Sequence, residues 1–149
     1  MSGGNALPVV AALAAGIGGA VQAAVLGRLG ERIGSVEALG FSALIAALTA
    51  TAFLLLIRQS VHAFAAGFGS PVWLWTGGML SAFIVLTITF ATPRIGVTGA
   101  IGLLIAGQLA LGAVIDRFGL FGYERVALQW PRVLGIMLLA AGAALSLRR

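Results

Sequence analysis

The chain has 149 residues, 60% hydrophobic and 9% charged, with a mean hydropathy of +1.11. So few residues cannot enclose that much apolar surface in one core, which excludes a water-soluble domain and makes lipid the expected solvent. With no cysteine and a single histidine, disulfides, thiolate zinc sites, thiol nucleophiles and histidine metal clusters are excluded, and no nucleophile–base pair is visible, so an enzyme is not expected. The net charge of +5 comes from nine arginines scattered at the ends of apolar stretches, which reads as interfacial anchoring on anionic lipid and not as a nucleic-acid surface.

The first apolar stretch, from Met1 to Gly27, has no charged side chain. Ser2-Gly3-Gly4-Asn5 offers none of the basic residues that open a secretory signal, so the stretch is expected to stay as a helix, about 7–26, with the mature chain beginning near Met1. Pro8 fits its first turn. Gly16, Gly19, Ala20, Ala23 and Gly27 recur at helical spacing, a small-residue face that lets backbones approach in lipid and predicts an interior packing helix. Arg28 to Val36 reads as a short linker, followed by a second helix over 37–57. Glu37 at its start suits the positive end of the helix dipole, the alternative being a carboxylate that faces a substrate or carries a proton. Ser42 and Thr49 share a face but are expected to satisfy themselves on backbone carbonyls.

The loop from Arg58 to Pro71 holds His62, read as a solvated or interfacial residue, and Val61, Phe64 and Phe68 at the spacing of a short interfacial helix. Trp73 and Trp75 open a third helix over 72–92 at headgroup level; two residues apart, they point in different directions, so at most one can face a pore. Gly77, Gly78, Ser81 and Ala82 form a second small-residue patch. Thr92-Pro93-Arg94 reads as a tight turn into a fourth helix over 95–115. There Gly96, Ala100, Leu103 and Gly107 mark one face, and Gln108, Gly112 and Asp116 another. Gln108 suits either a polar pocket or a hydrogen bond to a neighbouring helix. Asp116 beside Arg117 suits a surface ion pair or, less simply, a functional carboxylate. A fifth helix over 130–147 closes the chain.

Five crossings put the termini on opposite sides of the membrane. Arg58, Arg117, Arg125 and Arg132 then lie on one side and Arg28, Arg32, Arg94, Arg148 and Arg149 on the other, so the excess of positive charge that orients membrane proteins is nearly absent. This predicts insertion in both orientations and antiparallel pairing with a second copy, or with an oppositely biased homologue.

Several runs carry a family resemblance: Trp73-Leu74-Trp75-Thr76-Gly77-Gly78, Pro93-Arg94-Ile95-Gly96, Gly107-Gln108, Ile115-Asp116-Arg117-Phe118-Gly119, and Arg132, Gly135 and Gly142, with Gln22 in the first helix. Together they resemble the YdcZ family of bacterial inner-membrane proteins in the drug/metabolite transporter superfamily, over nearly the whole chain. The chain departs from that pattern at Arg117, where a histidine is expected after the aspartate, and after Gln22, where an asparagine is expected. The resemblance implies an all-α, multi-pass integral membrane protein of the bacterial inner membrane. It further implies one five-helix half-transporter repeat that needs an inverted second copy to complete a path.

The expected function is export of a small-molecule drug or metabolite by alternating access, with no cofactor and no metal. The alternative is an accessory membrane subunit that pairs with another small transporter. Gln22, Gln108, Trp73 and Trp75 are the candidates for the midplane of the path, Glu37 and Asp116 for its openings. Gly16, Gly19, Ala23, Gly77, Gly78, Gly96, Gly107 and Gly112 are the candidates for close helix packing. In the related four-helix multidrug exporters a deep glutamate of the first helix exchanges protons; Gln22 cannot, so proton-coupled cation export by that route is not expected.

Overall fold

The computed structural model describes residues 6–58 and 62–147. These form α1 (Ala6–Ile33), α2 (Ser35–Arg58), a one-turn α3 (His62–Ala65), two 3-10 turns (Ala66–Gly69 and Val72–Trp75), α4 (Thr76–Phe118), a third 3-10 turn (Leu120–Gly122) and α5 (Trp130–Ser146). The fold is all-helical, and α1, α2 and the stretch Val72–Phe118 are long and apolar enough to cross a membrane, while α5 is a shorter apolar helix. Val61, expected in the interfacial helix, and the tail arginines Arg148 and Arg149 lie outside the described residues, as do the side chains of Arg58 and His62.

What the helices bury identifies their solvent. Among the described residues six apolar ones are buried, and five of these are alanines, Ala23, Ala38, Ala100, Ala113 and Ala143, the sixth being Leu26. The large side chains point outward: Leu7, Leu56, Met79 and Phe83 are each more than 60% exposed. Small residues inside and bulky apolar residues outside is the arrangement that lipid favours, because tails solvate leucine as well as a protein core does and only close backbone approach gains packing energy.

The chain divides into two compact units, Val25–Phe90 on the one hand and residues up to Ala24 with those from Ala91 on the other. In the first, the end of α1 meets α4 at Gly30, where a Cβ would stand 2.6 Å from Thr89 Cγ2 and 3.5 Å from the Thr89 carbonyl oxygen. Thr89 is fully buried, and its hydroxyl donates to the Val85 carbonyl at 2.8 Å, so the contact leaves that hydroxyl satisfied. The predicted linker Arg28–Val36 is almost all helix. A single residue, Gly34 at φ 97°, separates α1 from α2, donating to the Gly30 carbonyl and accepting from the Ala38 amide, both at 3.0 Å. A left-handed glycine closes the α1 carbonyls and starts α2 at once, so no longer loop is needed.

In the second unit, the C-terminal half of α4 packs against α5. A Cβ at Gly102 would lie 3.1 Å from Ala143 Cβ, and one at Gly99 2.8 Å from Leu147 Cδ2. Each step forward along α4 is matched by a step back along α5, an antiparallel register. The expected Thr92-Pro93-Arg94 turn is instead helical, and the break falls at Gly96, φ 80° and ψ 159°. The reason is steric: proline's fixed φ suits a helix, whereas the Gly96 conformation is essentially closed to residues with a Cβ.

Among the described residues, no atom lies within 4 Å of where a Cβ would stand at Gly16, Gly19, Gly77, Gly78, Gly107 or Gly112, so these faces stand open within one copy of the chain. Gly96 serves as a break in α4. Of the expected set, Ala23 is buried, and the close contacts fall to Gly30, Gly99 and Gly102. Helical spacing finds a face of small residues but does not say what faces it.

The Gly30 contact gives a direct test. Gly30→Ala should destabilise the protein by about 1–3 kcal/mol through overpacking. Adding Thr89→Ser, which removes Cγ2 and keeps the hydroxyl, should recover most of the loss in thermal unfolding, while Gly40→Ala, at an exposed helical position with open space around it, should be neutral or slightly stabilising.

Candidate functional site

The polar residues inside apolar helices divide into those the chain satisfies and those it does not. Ser42, Thr49, Thr76, Thr87 and Ser146 each donate to a carbonyl three or four residues earlier, at 2.6–2.9 Å, as expected for Ser42 and Thr49. Gln22 on α1 and Gln108 on α4 are both exposed, and neither amide has a hydrogen-bond partner among the described residues. Gln108 lies about 18 Å along the helix from the Gly96 break and about 12 Å from Asp116, well inside the apolar run. Thr92 Oγ1 is a third unpartnered group, buried beside Pro93.

Gln108 stands next to a groove that the sequence did not reveal. A cavity of about 470 Å³ opens between α1, α4 and α5, lined by Ala20, Thr98, Ile101, Ile105, Leu139 and Ser146 among others. Ile101 and Ile105 lie seven and three residues before Gln108, so the amide is one turn beyond the groove on the same helix face. The lining is apolar apart from hydroxyls such as those of Thr98 and Ser146. No sequence motif could announce it, because alanines, isoleucines and glycines become a groove only when three helices meet.

The other candidates lie away from this groove's lining. Trp75 meets Phe68 edge to face at 6.1 Å between ring centres, and Phe68 meets Phe64 the same way at 5.9 Å. The residues Phe64 and Phe68 expected on a short interfacial helix thus join the tryptophan belt in one aromatic cluster. Trp73, half-exposed, lies in the same 3-10 turn as Trp75, which precedes α4 instead of forming its first turn. Glu37, in the first turn of α2, folds its carboxylate back over Gly34, against the place where a Cβ would stand. That placement suits a carboxylate at the positive end of the helix.

Asp116 is paired with Arg132 across the α4–α5 connection, and not with its neighbour Arg117. Its backbone carbonyl also accepts the Val126 amide at 2.8 Å. One residue thereby ties both the connecting segment and the start of α5 to the end of α4. Adjacent side chains on a helix diverge, whereas the antiparallel return of α5 brings Arg132 alongside Asp116. Sequence reasoning missed this pair because its members lie sixteen residues apart. Among the described residues, no group of three His, Asp or Glu side chains could hold a metal ion.

Outward-facing bulky residues, alanine-and-glycine helix contacts and apolar helices of membrane length define a helical membrane protein. The chain belongs to the family described as "Putative inner membrane exporter, YdcZ", whose model matches residues 7–145. No curated protein and no solved structure matches the chain.

The Asp116–Arg132 tie is measurable by a double-mutant cycle. Asp116→Asn and Arg132→Gln should each lower stability, with a coupling energy of about 0.5–1 kcal/mol for this partly exposed pair. Additive losses in thermal unfolding would mean that the two side chains act independently.

Proposed function

We propose that the chain is a half-size exporter of small, largely apolar molecules, working by alternating access as an antiparallel pair of copies. In this reading it crosses the bilayer five times. α4, with its 43 residues, would measure about 65 Å if straight, roughly twice the hydrocarbon core, and the Gly96 break divides it into two lengths that each suit one crossing. α5 is the fifth crossing, its 17 residues lying at the short end of the spanning range. The near-balance of arginines on the two sides leaves insertion without a strong bias, so one gene supplies both halves of an inverted pair.

The observation that carries this reading is the pair of unpartnered amides, Gln22 and Gln108. An amide facing lipid without a hydrogen bond is costly, and polar groups in such positions line pathways or meet another helix. Here they meet the second copy and the solute between the copies. The Ala20–Ile101–Ser146 groove is the apolar half of the solute site, and Gln108 one turn away is its polar edge. The open glycine faces at Gly16 and Gly107 are where the second copy approaches. The family description as an exporter supports the direction of transport.

The test is flux through proteoliposomes for a panel of fluorescent amphipathic cations, neutral dyes and organic acids. Gln108→Leu and Thr98→Val should each cut the flux of a transported compound about 10-fold, the cost of one lost hydrogen bond in a low-dielectric site. Thermal stability should stay within about 0.5 kcal/mol of the parent. Unchanged flux in both variants would remove this groove from the path.

A further inference from the structure

A second composite site lies at the other end of the α4–α5 pair. Arg117 and Arg125 line a hollow of about 440 Å³ together with Phe118, Val126 and Ala127. No carboxylate lines it: Asp116 is engaged by Arg132, and Glu124 is not among the lining residues. Neither Arg117 nor Arg125 makes an ion pair or hydrogen bond among the described residues. The Arg125 side chain is carried across Gly119, where a Cβ would stand 2.8 Å from its Cγ, and the Val126–Asp116 backbone bond fixes the segment beside it. The two guanidiniums are therefore set around one hollow by the fold.

Arg117 and Phe118 also line a second cavity of about 310 Å³, which runs between α4 and α5 past Val114, Val133 and Met137 and is almost wholly apolar. The two cavities adjoin at Arg117 and Phe118, which line both. A doubly cationic hollow beside an apolar groove between helices matches an anionic amphiphile in charge and in polarity. In a bilayer the abundant molecule of that kind is an anionic phospholipid.

We propose that this composite site holds one anionic phospholipid, with its phosphate between Arg117 and Arg125 and an acyl chain along the α4–α5 groove. The site differs from another arginine-lined hollow, near Arg28, Arg32 and Phe41, where Glu31 sits 3.0 Å from Arg28 and offsets part of the positive charge. The bound lipid fills the apolar groove that α5, a short helix, leaves open beside α4, and it offsets two charges held at the membrane edge.

The experiment titrates delipidated protein in detergent with phosphatidylglycerol, phosphatidylcholine or soluble glycerol phosphate, reading bound molecules by native mass spectrometry. The unmodified protein should bind phosphatidylglycerol about 25-fold more tightly than phosphatidylcholine, about fivefold for each guanidinium. Arg117→Gln/Arg125→Gln should abolish that preference. Arg28→Gln/Arg32→Gln, with the same change in net charge, should retain it. Val114→Trp, which fills the groove from its exposed side, should weaken phosphatidylglycerol binding while helical content is unchanged. Equal loss of preference in both arginine doubles would overturn the proposal in favour of diffuse surface charge. Glycerol phosphate binding as tightly as the lipid would overturn it in favour of a free-phosphate site.

Discussion

Everything in this structure follows from backbone hydrogen bonding in a medium that supplies no partners. In hydrocarbon each amide and carbonyl must be satisfied within the chain, so the apolar stretches become helices, and the helices end only where another device closes their last groups. Gly34 shows the economy this imposes. One left-handed residue closes α1, opens α2 and keeps both of its own backbone bonds, so a connection expected to take nine residues takes one. Gly96 breaks α4 in a conformation that a side chain would forbid.

The same medium reverses the usual logic of a core. Leucines gain little by leaving lipid tails, so they stay outside, while alanine and glycine bring helices to contact distance at Gly30–Thr89, Gly99–Leu147 and Gly102–Ala143. Polar side chains then fall into two groups. Hydroxyls such as those of Thr49 and Thr89 bond to carbonyls of their own helix, Thr92 being an exception, and Asp116 is held by Arg132. Gln22 and Gln108 have no such recourse, which is why they carry the functional reading, whereas Asp116 ties the start of α5 and the segment before it to the end of α4.

The membrane class was legible from hydropathy and charge alone, and the family from short runs such as Pro93-Arg94-Ile95-Gly96 and Ile115-Asp116-Arg117-Phe118-Gly119, since both depend on residues close together in sequence. Breaks were less legible. Proline in the 92–94 segment suggested a turn, yet a proline tolerates helical φ, and the residue free to leave the helix was the glycine three positions on. Least legible were features made by helices returning on one another. The Asp116–Arg132 pair and the groove between Ala20, Ile101 and Ser146 join residues whose separation in sequence gives no sign of contact. The small-residue faces at Gly16 and Gly107 were visible as faces, but their lack of a neighbour within the chain could be learned only from the fold.

The central claim is that a transport path is completed by a second, inverted copy, and orientation in the native membrane tests it most directly. The chain has no cysteine, so Tyr123→Cys, in the exposed segment between α4 and α5, places a single thiol on one side without altering the arginine balance. Intact cells are treated with a membrane-impermeant maleimide and the labelled fraction is measured against that in permeabilised cells. An inverted homodimer predicts that about half of the thiols react from outside, because a weak charge bias inserts the chain both ways. Labelling of all the thiols or of none would mean a single orientation and would contradict the account.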